Sequence, residues 1–476
     1  MADNLASFKV FCQGGLNTSR DVLSQGENQP GSAVALINYE PAVTGGYRKI
    51  NGFSNDYGTV TGKANTSVLG VCVANGVNDG ILVRFTKYNW GSPKVLLTDS
   101  VNPAATYDGT TYTQITHADA PSAPRLSHVF KNHMFLAGDP SEDTNLYFSA
   151  PYDETNFAAA DGAGVINVGF PIVAIKSFRD VLYIFGSNNI RKLAGDNISN
   201  FVLQEVTDDL GCLATDSVIE IGGDLLFLSQ DGLRPVSGTD KIGDVNLETV
   251  SKDIQSIFTD IVFDIDLETL NAVVIRQKTQ FRYFFGAADA QGIIGGFRQT
   301  PNGLQFEYSQ MLGITATCSD SGYIGQNEFV IHGDSTGKVH RQERGNDFDG
   351  EDIFSLFQTP FFHMQDPEQR KVFYTVATYL RSEGDNELVM SALYDYEDVD
   401  TLSPTNFTLT TEGAAAYYNE ALYNSTSIFD GNPAPVQRTN ISGSGKSASF
   451  KFVTNDSNAS HSIQGLVVTF GVGDRL

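Results

Sequence analysis

Residues 172–195 read IVAIKSFRDVLYIFGSNNIRKLAG. An apolar run, a polar break near Asp180, a second apolar run and a third segment ending on Gly195 describe strands folded back and forth. The pattern recurs. LSHVFKNHMFLAG (126–138) turns near Asn132, and SVIEIGGDLLFLS (217–229) turns at Gly222-Gly223-Asp224. LNAVVIRQKTQFRYFFG (270–286) turns near Lys278, and Ile314–Gly333 near Asn327. A first copy is read at Val68–Phe85, turning at Asn78-Asp79-Gly80. The marks at 78, 132, 180, 224, 278 and 327 fall 44–54 residues apart. That interval suits a four-stranded propeller blade of about 40–50 residues. NIRKLAG (189–195) and GLRPVSG (232–238) supply further strands. The expected fold is all-β: a six-bladed β-propeller, whose radial repetition leaves only short edges. The competing reading is a pair of β-sandwiches with hairpins spaced by chance.

The flanks divide the chain. Residues 1–56 read as an N-terminal arm and hairpin, 57–345 as the propeller, 346–352 as an acidic linker and 353–476 as a β-sandwich-like platform. The last part carries alternating strands at Lys371–Arg381, Glu387–Tyr394, Asn406–Thr410, Ser447–Thr454 and Ile463–Val472, with a long loop over 412–446. One insertion breaks the β pattern. Leu247, Val250, Ile254, Ile257, Phe258 and Ile261 recur at helical spacing, with Asn246 as the expected N-cap.

Composition narrows the function. The chain has 476 residues, 18% charged, with a formal net charge of −25. Such a surface repels nucleic acid and does not grip phosphates. Cys12, Cys72, Cys212 and Cys318 are widely separated, which fits buried free thiols and neither a disulfide scaffold nor a zinc site. No secretory signal or membrane span is visible, so folding in a cytoplasm is expected.

No motif demands a cofactor or a metal. Asp347, Asp349, Gly350 and Asp352 imitate the start of a calcium loop, but Gln358 stands where a bidentate Glu is needed. The seven histidines form no HExxH, and neither GxSxG nor a P-loop occurs. Propellers do host glycosidases, and two carboxylates could meet across a funnel. SQDG (229–232) only partly imitates the repeated box of such enzymes, and Trp90 is the single tryptophan. In GGYRKINGF (45–53), Gly45-Gly46 reads as a hairpin turn joining INYEP to YRKINGF, with Gly52 closing a second turn. Arg48 and Lys49 are expected to pair with carboxylates rather than DNA.

The order of these segments resembles a known family. CQGGL with Gly14 and Gly15, then ALINYEP (35–41), then Gly45, Gly46, Tyr47, Arg48, Lys49 and Gly52, form its N-terminal signature. RLSHVFKNHMFLAG (125–138), NLYFSAPYDETNF (145–157) and residues 172–195 form its middle. Together they resemble the tail nozzle, or tail hub, proteins of short-tailed bacteriophages, including the packaged-DNA stabilisation proteins. Ile50 departs from the family's usual Pro, and Lys131 from its frequent Arg. The resemblance implies a structural, non-enzymatic virion protein, assembled in the host cytoplasm. It implies a homo-hexameric ring below the portal and adaptor, retaining packaged DNA and passing it without specific binding at ejection. Tail fibres, a tail needle or the host outer surface are further contacts it implies. Acidic tips at Asp240, Asp244, Asp260, Asp264 and Asp266 are the expected channel-lining positions. The alternative is a carbohydrate-binding or carbohydrate-cleaving propeller at a tail tip.

Overall fold

The computed structural model describes residues 5–472 apart from 44, 58–82, 237–248, 265–266, 268, 286–290, 301–302, 365, 399 and 412–435. Five small antiparallel sheets form a propeller-like ring of five blades. The first comprises Arg84–Asn89, Pro93–Thr98, Ala105–Tyr107 and Tyr112–Gln114. The second comprises Leu126–Phe130, His133–Ala137, Asn145–Phe148 and Gly164–Asn167. The third comprises Ala174–Phe178, Val181–Phe185, Ile190–Ala194 and Val202–Thr207. The fourth has Ile219–Ile221, Asp224–Ser229 and Gly232–Pro235. The closing blade has Cys318–Ile324, Asn327–Gly333 and Val339–Gln342, completed by Phe53–Ser54 from the N-terminal arm.

The sequence pattern explains these blades. In the second, third and fourth blades the second strand is an apolar run, buried on both faces. Met134 and Leu136 pack on the first blade, while Phe135 and Ala137 pack on the third. Leu182 and Ile184 face the second blade, and Tyr183 and Phe185 face the fourth. Period two thus sends alternate residues to different cores. Three inner hairpins use two-residue turns with both φ angles positive: Lys131-Asn132 (46°, 66°), Arg179-Asp180 (46°, 65°) and Gly222-Gly223 (63°, 77°). That geometry matches the right-handed twist of the strands it joins.

The expected sixfold order is modified in one place. Asn271–Ile275, Gln280–Phe284, Gln291–Thr300 and Gly303–Leu312 lie between the fourth and closing blades in sequence, but they do not form a separate sheet. They continue through Ala35–Ile37 into Ile353–Gln358, Ala448–Asp456, Asn386–Tyr394 and Phe407–Thr411, making nine strands. A second large sheet joins Tyr39–Pro41, Tyr47–Lys49, His461–Val472, Lys371–Ser382 and Val436–Asn440, with Leu5–Phe11 also on His461–Val472. Phe373, Val376 and Leu380 of this sheet share one core with Leu388, Met390, Phe450 and Phe452 of the nine-stranded one.

Several local expectations change. The hairpin read at Val68–Phe85 lies largely outside the described residues. Phe85 itself sits on the first strand of a hairpin that turns at Trp90-Gly91-Ser92, after the expected turn. The helix spans Gln255–Asp264 behind a 3-10 turn at Lys252–Ile254, so Val250 precedes it; Asn246 and Leu247 lie outside the described residues. Ile254 in the turn and Phe258 on the helix are buried. Within the segment read as a loop over 412–446, Val436–Asn440 is a strand. Residues 346–352 pack onto the arm: Phe53 N–H donates to the Asp347 carbonyl at 3.0 Å, and Phe348 stacks on Phe53 at 5.0 Å.

Candidate functional site

The arm's motif residues meet in one buried joint. Tyr39–Pro41 pairs with Tyr47–Lys49, with Gly45 and Gly46 in the turn at φ 94° and 87°. The Tyr47 hydroxyl donates to the Gly31 carbonyl at 2.8 Å and accepts from Gly15 N–H at 3.0 Å. Burial drives its pKa well above the phenol range. Gly14 N–H donates to Glu307 at 2.6 Å, and Glu307 accepts from Arg298 at 2.8 Å. Arg298 donates on to the Gly46 carbonyl at 2.7 Å. Gly15 and Tyr47 thus share one hydrogen-bonded chain, and Gly14 and Gly46 a second beside it.

Beside it lies a network of charges. Arg48 binds Glu383 at 2.5 Å and Glu40 at 3.1 Å, and Lys49 binds Asp456 at 2.6 Å. Lys278 reaches Glu40 at 2.7 Å and Glu343 at 2.5 Å. Arg282, with no exposed surface in its side chain, bonds to Glu343 and, at 2.7 Å, to Gln342. Burial alone would push the Glu343 carboxyl up; Lys278 and Arg282 outweigh it and bring it down to about 2. The two cations of the motif are thus committed to carboxylates, as their surroundings in the sequence suggested. Gly52 serves by close approach: a Cβ there would stand 1.8 Å from the Asp347 carbonyl oxygen.

A second set of polar bonds joins successive sheets of the ring. Thr86 bonds Ser127 at 2.8 Å, and His128 Nε2 accepts from Ser177 N–H at 2.9 Å. Thr215 donates to the Val173 carbonyl at 2.9 Å, and Tyr283 to the Ser217 carbonyl at 2.7 Å. Ser319 donates to Asn271 at 2.7 Å, and Lys87 to Asp320 at 2.6 Å. Each bond ties one sheet to the next. Arg84 on the first blade holds Asp216, ahead of the fourth, through two nitrogens, with contacts at 2.7 and 2.9 Å. Burial lowers the pKa of Lys176, which lies among Glu220, Asp320, Arg276 and Asp216. Burial, with Lys176 adding to it, takes His128 down to about 3. Its acceptor role toward Ser177 requires the neutral ring.

An open cleft of about 370 Å³ lies beside the second and third inner turns. Phe130, Lys131, Phe178, Arg179, Asp180 and Glu220 line it. Lys131 is held by Asp180 at 3.2 Å and Asp196 at 3.3 Å, while Arg179 donates to the Gly223 carbonyl at 2.9 Å.

Of the expected channel acids, Asp240, Asp244 and Asp266 lie outside the described residues, and Asp260 and Asp264 lie on the 255–264 helix. Asp347 accepts from Gly350 N–H, and Asp349 binds Lys338, so both serve local structure. Among the described residues, no group of three or more His, Cys, Asp or Glu is placed to hold a metal. Cys12, Cys212 and Cys318 are free and buried, with burial raising their thiols to about 12, 11 and 12. Cys72 is outside the described residues. Sequence reasoning missed a stacked pair, His332 and His340, 4.9 Å apart, against which Phe53 packs. The two histidines stand opposite each other on paired strands, eight residues apart in sequence, with no local motif to mark them.

No family model matches the sequence, and no curated protein matches it. Part of the chain is similar to Hsv2 of Kluyveromyces lactis, at 9% identity, 49% of this chain, 74% of that one and TM-score 0.31. It is similar to the AfRom2 CNH domain at 8% identity, 55% of this chain, 94% of that one and TM-score 0.31. It is also similar to an exo-beta-1,3-galactanase from Phanerochaete chrysosporium at 10% identity, 79% of this chain, 78% of that one and TM-score 0.21. Likenesses this distant assign this chain neither activity nor partner.

Proposed function

We propose that the chain is a structural subunit of a short-tailed phage virion. Six copies form a nozzle or hub ring below the portal and adaptor, retain packaged DNA and conduct it at ejection. Charge distribution carries this reading. The chain has 56 acidic residues against 31 Lys and Arg. Several of those cations are drawn inward, with Arg48, Lys49, Lys278, Arg282 and Arg298 all ending on carboxylates of the arm joint. The surface left over is acidic, and an acidic wall repels a phosphate backbone and lets a duplex pass without sticking. Six copies carry about −150 formal charges.

The finer architecture belongs to the same proposal. The 271–312 strands bond both neighbours, through Tyr283 to Ser217 and through Asn271 to Ser319, which supports counting them as a sixth blade. The shared core of the two large sheets supports a C-terminal sandwich. Asp240, Asp244, Asp260, Asp264 and Asp266 are the proposed lumen acids. Asp216 and Asp320, the carboxylates between the first, fourth and closing blades, are already held by Arg84 and Lys87, which lends the carbohydrate reading no support. Native mass spectrometry tests the ring. A species near six times 51.6 kDa supports it, and a stable monomer that cleaves polysaccharide overturns it.

A further inference from the structure

The second large sheet carries an anomaly of charge. Four of its strands, Leu5–Phe11, Lys371–Ser382, Val436–Asn440 and His461–Val472, contain no Asp or Glu; Lys9, Arg381 and Arg438 are exposed on them, while Lys371 is buried and Glu40 lies on the Tyr39–Pro41 strand, paired with Arg48. In the whole chain, with 56 acids in 476 residues, roughly one residue in nine is acidic. One face of this sheet is core, through Val10, Val376, Leu466 and Val468. Among the described residues, Lys9, Tyr379 and Arg438 on the other face are exposed. Register sets its rows: Leu5 beside Gly471 and Val372, and Phe11 beside Gly465 and Tyr379. Between them, Lys9, Val467, Ala377 and Arg438 make one row across four strands. Leu5 and Phe11 are 61% and 68% exposed, and Tyr374 and Tyr379 are about 40% exposed. Leu5–Phe11 is also a sheet edge, paired on one side only.

We propose that this face docks a second copy of the chain, through that copy's acidic surface. The match is electrostatic: four strands with exposed cations and no carboxylate, on a molecule whose net charge is −25. Aromatic and aliphatic side chains between the cations supply the apolar centre that such contacts need. Because the face and its acidic counterpart are different surfaces of one molecule, the contact is head-to-tail. Repeated, it closes into a ring or runs on as a filament. The inference rests on the ring reading above and names the surface that builds the ring.

The test compares the full-length chain with a Lys9→Glu/Arg438→Glu double variant, by sedimentation velocity and native mass spectrometry from low to high salt. The wild type is expected to assemble and to dissociate as salt rises. The double variant is expected to associate at least tenfold more weakly, with unchanged circular dichroism, while Lys9→Arg/Arg438→Lys assembles normally. A double variant that assembles like the wild type overturns this face and leaves the ring reading standing. A wild type monomeric at every concentration overturns both. Binding of a single-stranded or duplex oligonucleotide by the wild type, lost in the double variant, overturns the second copy in favour of a nucleic acid.

Discussion

At the residue scale, the two glycines of the arm turn have different duties. A Cβ on Gly45 meets nothing within 4 Å, so Gly45→Ala carries only the left-handed backbone cost of about 1–2 kcal/mol. A Cβ on Gly46 stands 2.3 Å from the Ile463 carbonyl oxygen, so Gly46→Ala must also push a strand aside. Urea unfolding is expected to rank Gly46→Ala well below Gly45→Ala, with Gly45→Asn nearest the wild type. Histidines supply a pH dependence. Burial takes His128, His332 and His461 each to about 3. The unfolded chain then binds more protons than the folded one between pH 3 and the ordinary 6.5. Their contribution is complete above that window and is lost as pH falls through it, at about 1.4 kcal/mol per pH unit for each ring. Unfolding free energy measured from pH 7.5 to 4 should fall accordingly, and His461→Gln should remove one proton from the slope. A slope unchanged by the substitution would refute the assignment. The pairing of Arg48 and Lys49 was legible only in kind. Their partners, Glu383 and Asp456, lie in the last hundred residues, and no local pattern links them.

At the scale of elements, the hairpins were readable because each middle strand is covered on both sides, which writes an apolar run into the sequence. The arm was not. Ala35–Ile37, Tyr39–Pro41 and Tyr47–Lys49 have three residues each, too few to show a period, and their places are fixed by distant strands. The closing strand Phe53–Ser54 is shorter still, yet it completes the last blade through Arg341 and Gln342. Its anchor is Phe53, set against His332, His340 and Phe348. Phe53→Ala is expected to cost about 3–5 kcal/mol. Hydrogen exchange should show protection lost first over residues 318–342; uniform loss across the chain would argue against a local latch.

At the scale of the molecule, the two large sheets bind arm, ring and C-terminal strands together. Ala35–Ile37 lies between Gly303–Leu312 and Ile353–Gln358, bridging the ring side and the C-terminal side. Cleavage at a protease site inserted at Gly350, where a Cβ meets nothing within 4 Å, is therefore expected to leave two fragments that co-elute and melt together. Fragments that separate and refold alone would show two independent units. Topology has a further consequence, in time. Leu5–Phe11 takes its place on His461–Val472, about 450 residues later in the chain. At about 5–20 residues per second, the opening strand waits on the order of half a minute or longer for its partner. Until then Leu5, Phe8 and Phe11 have no native sheet to join.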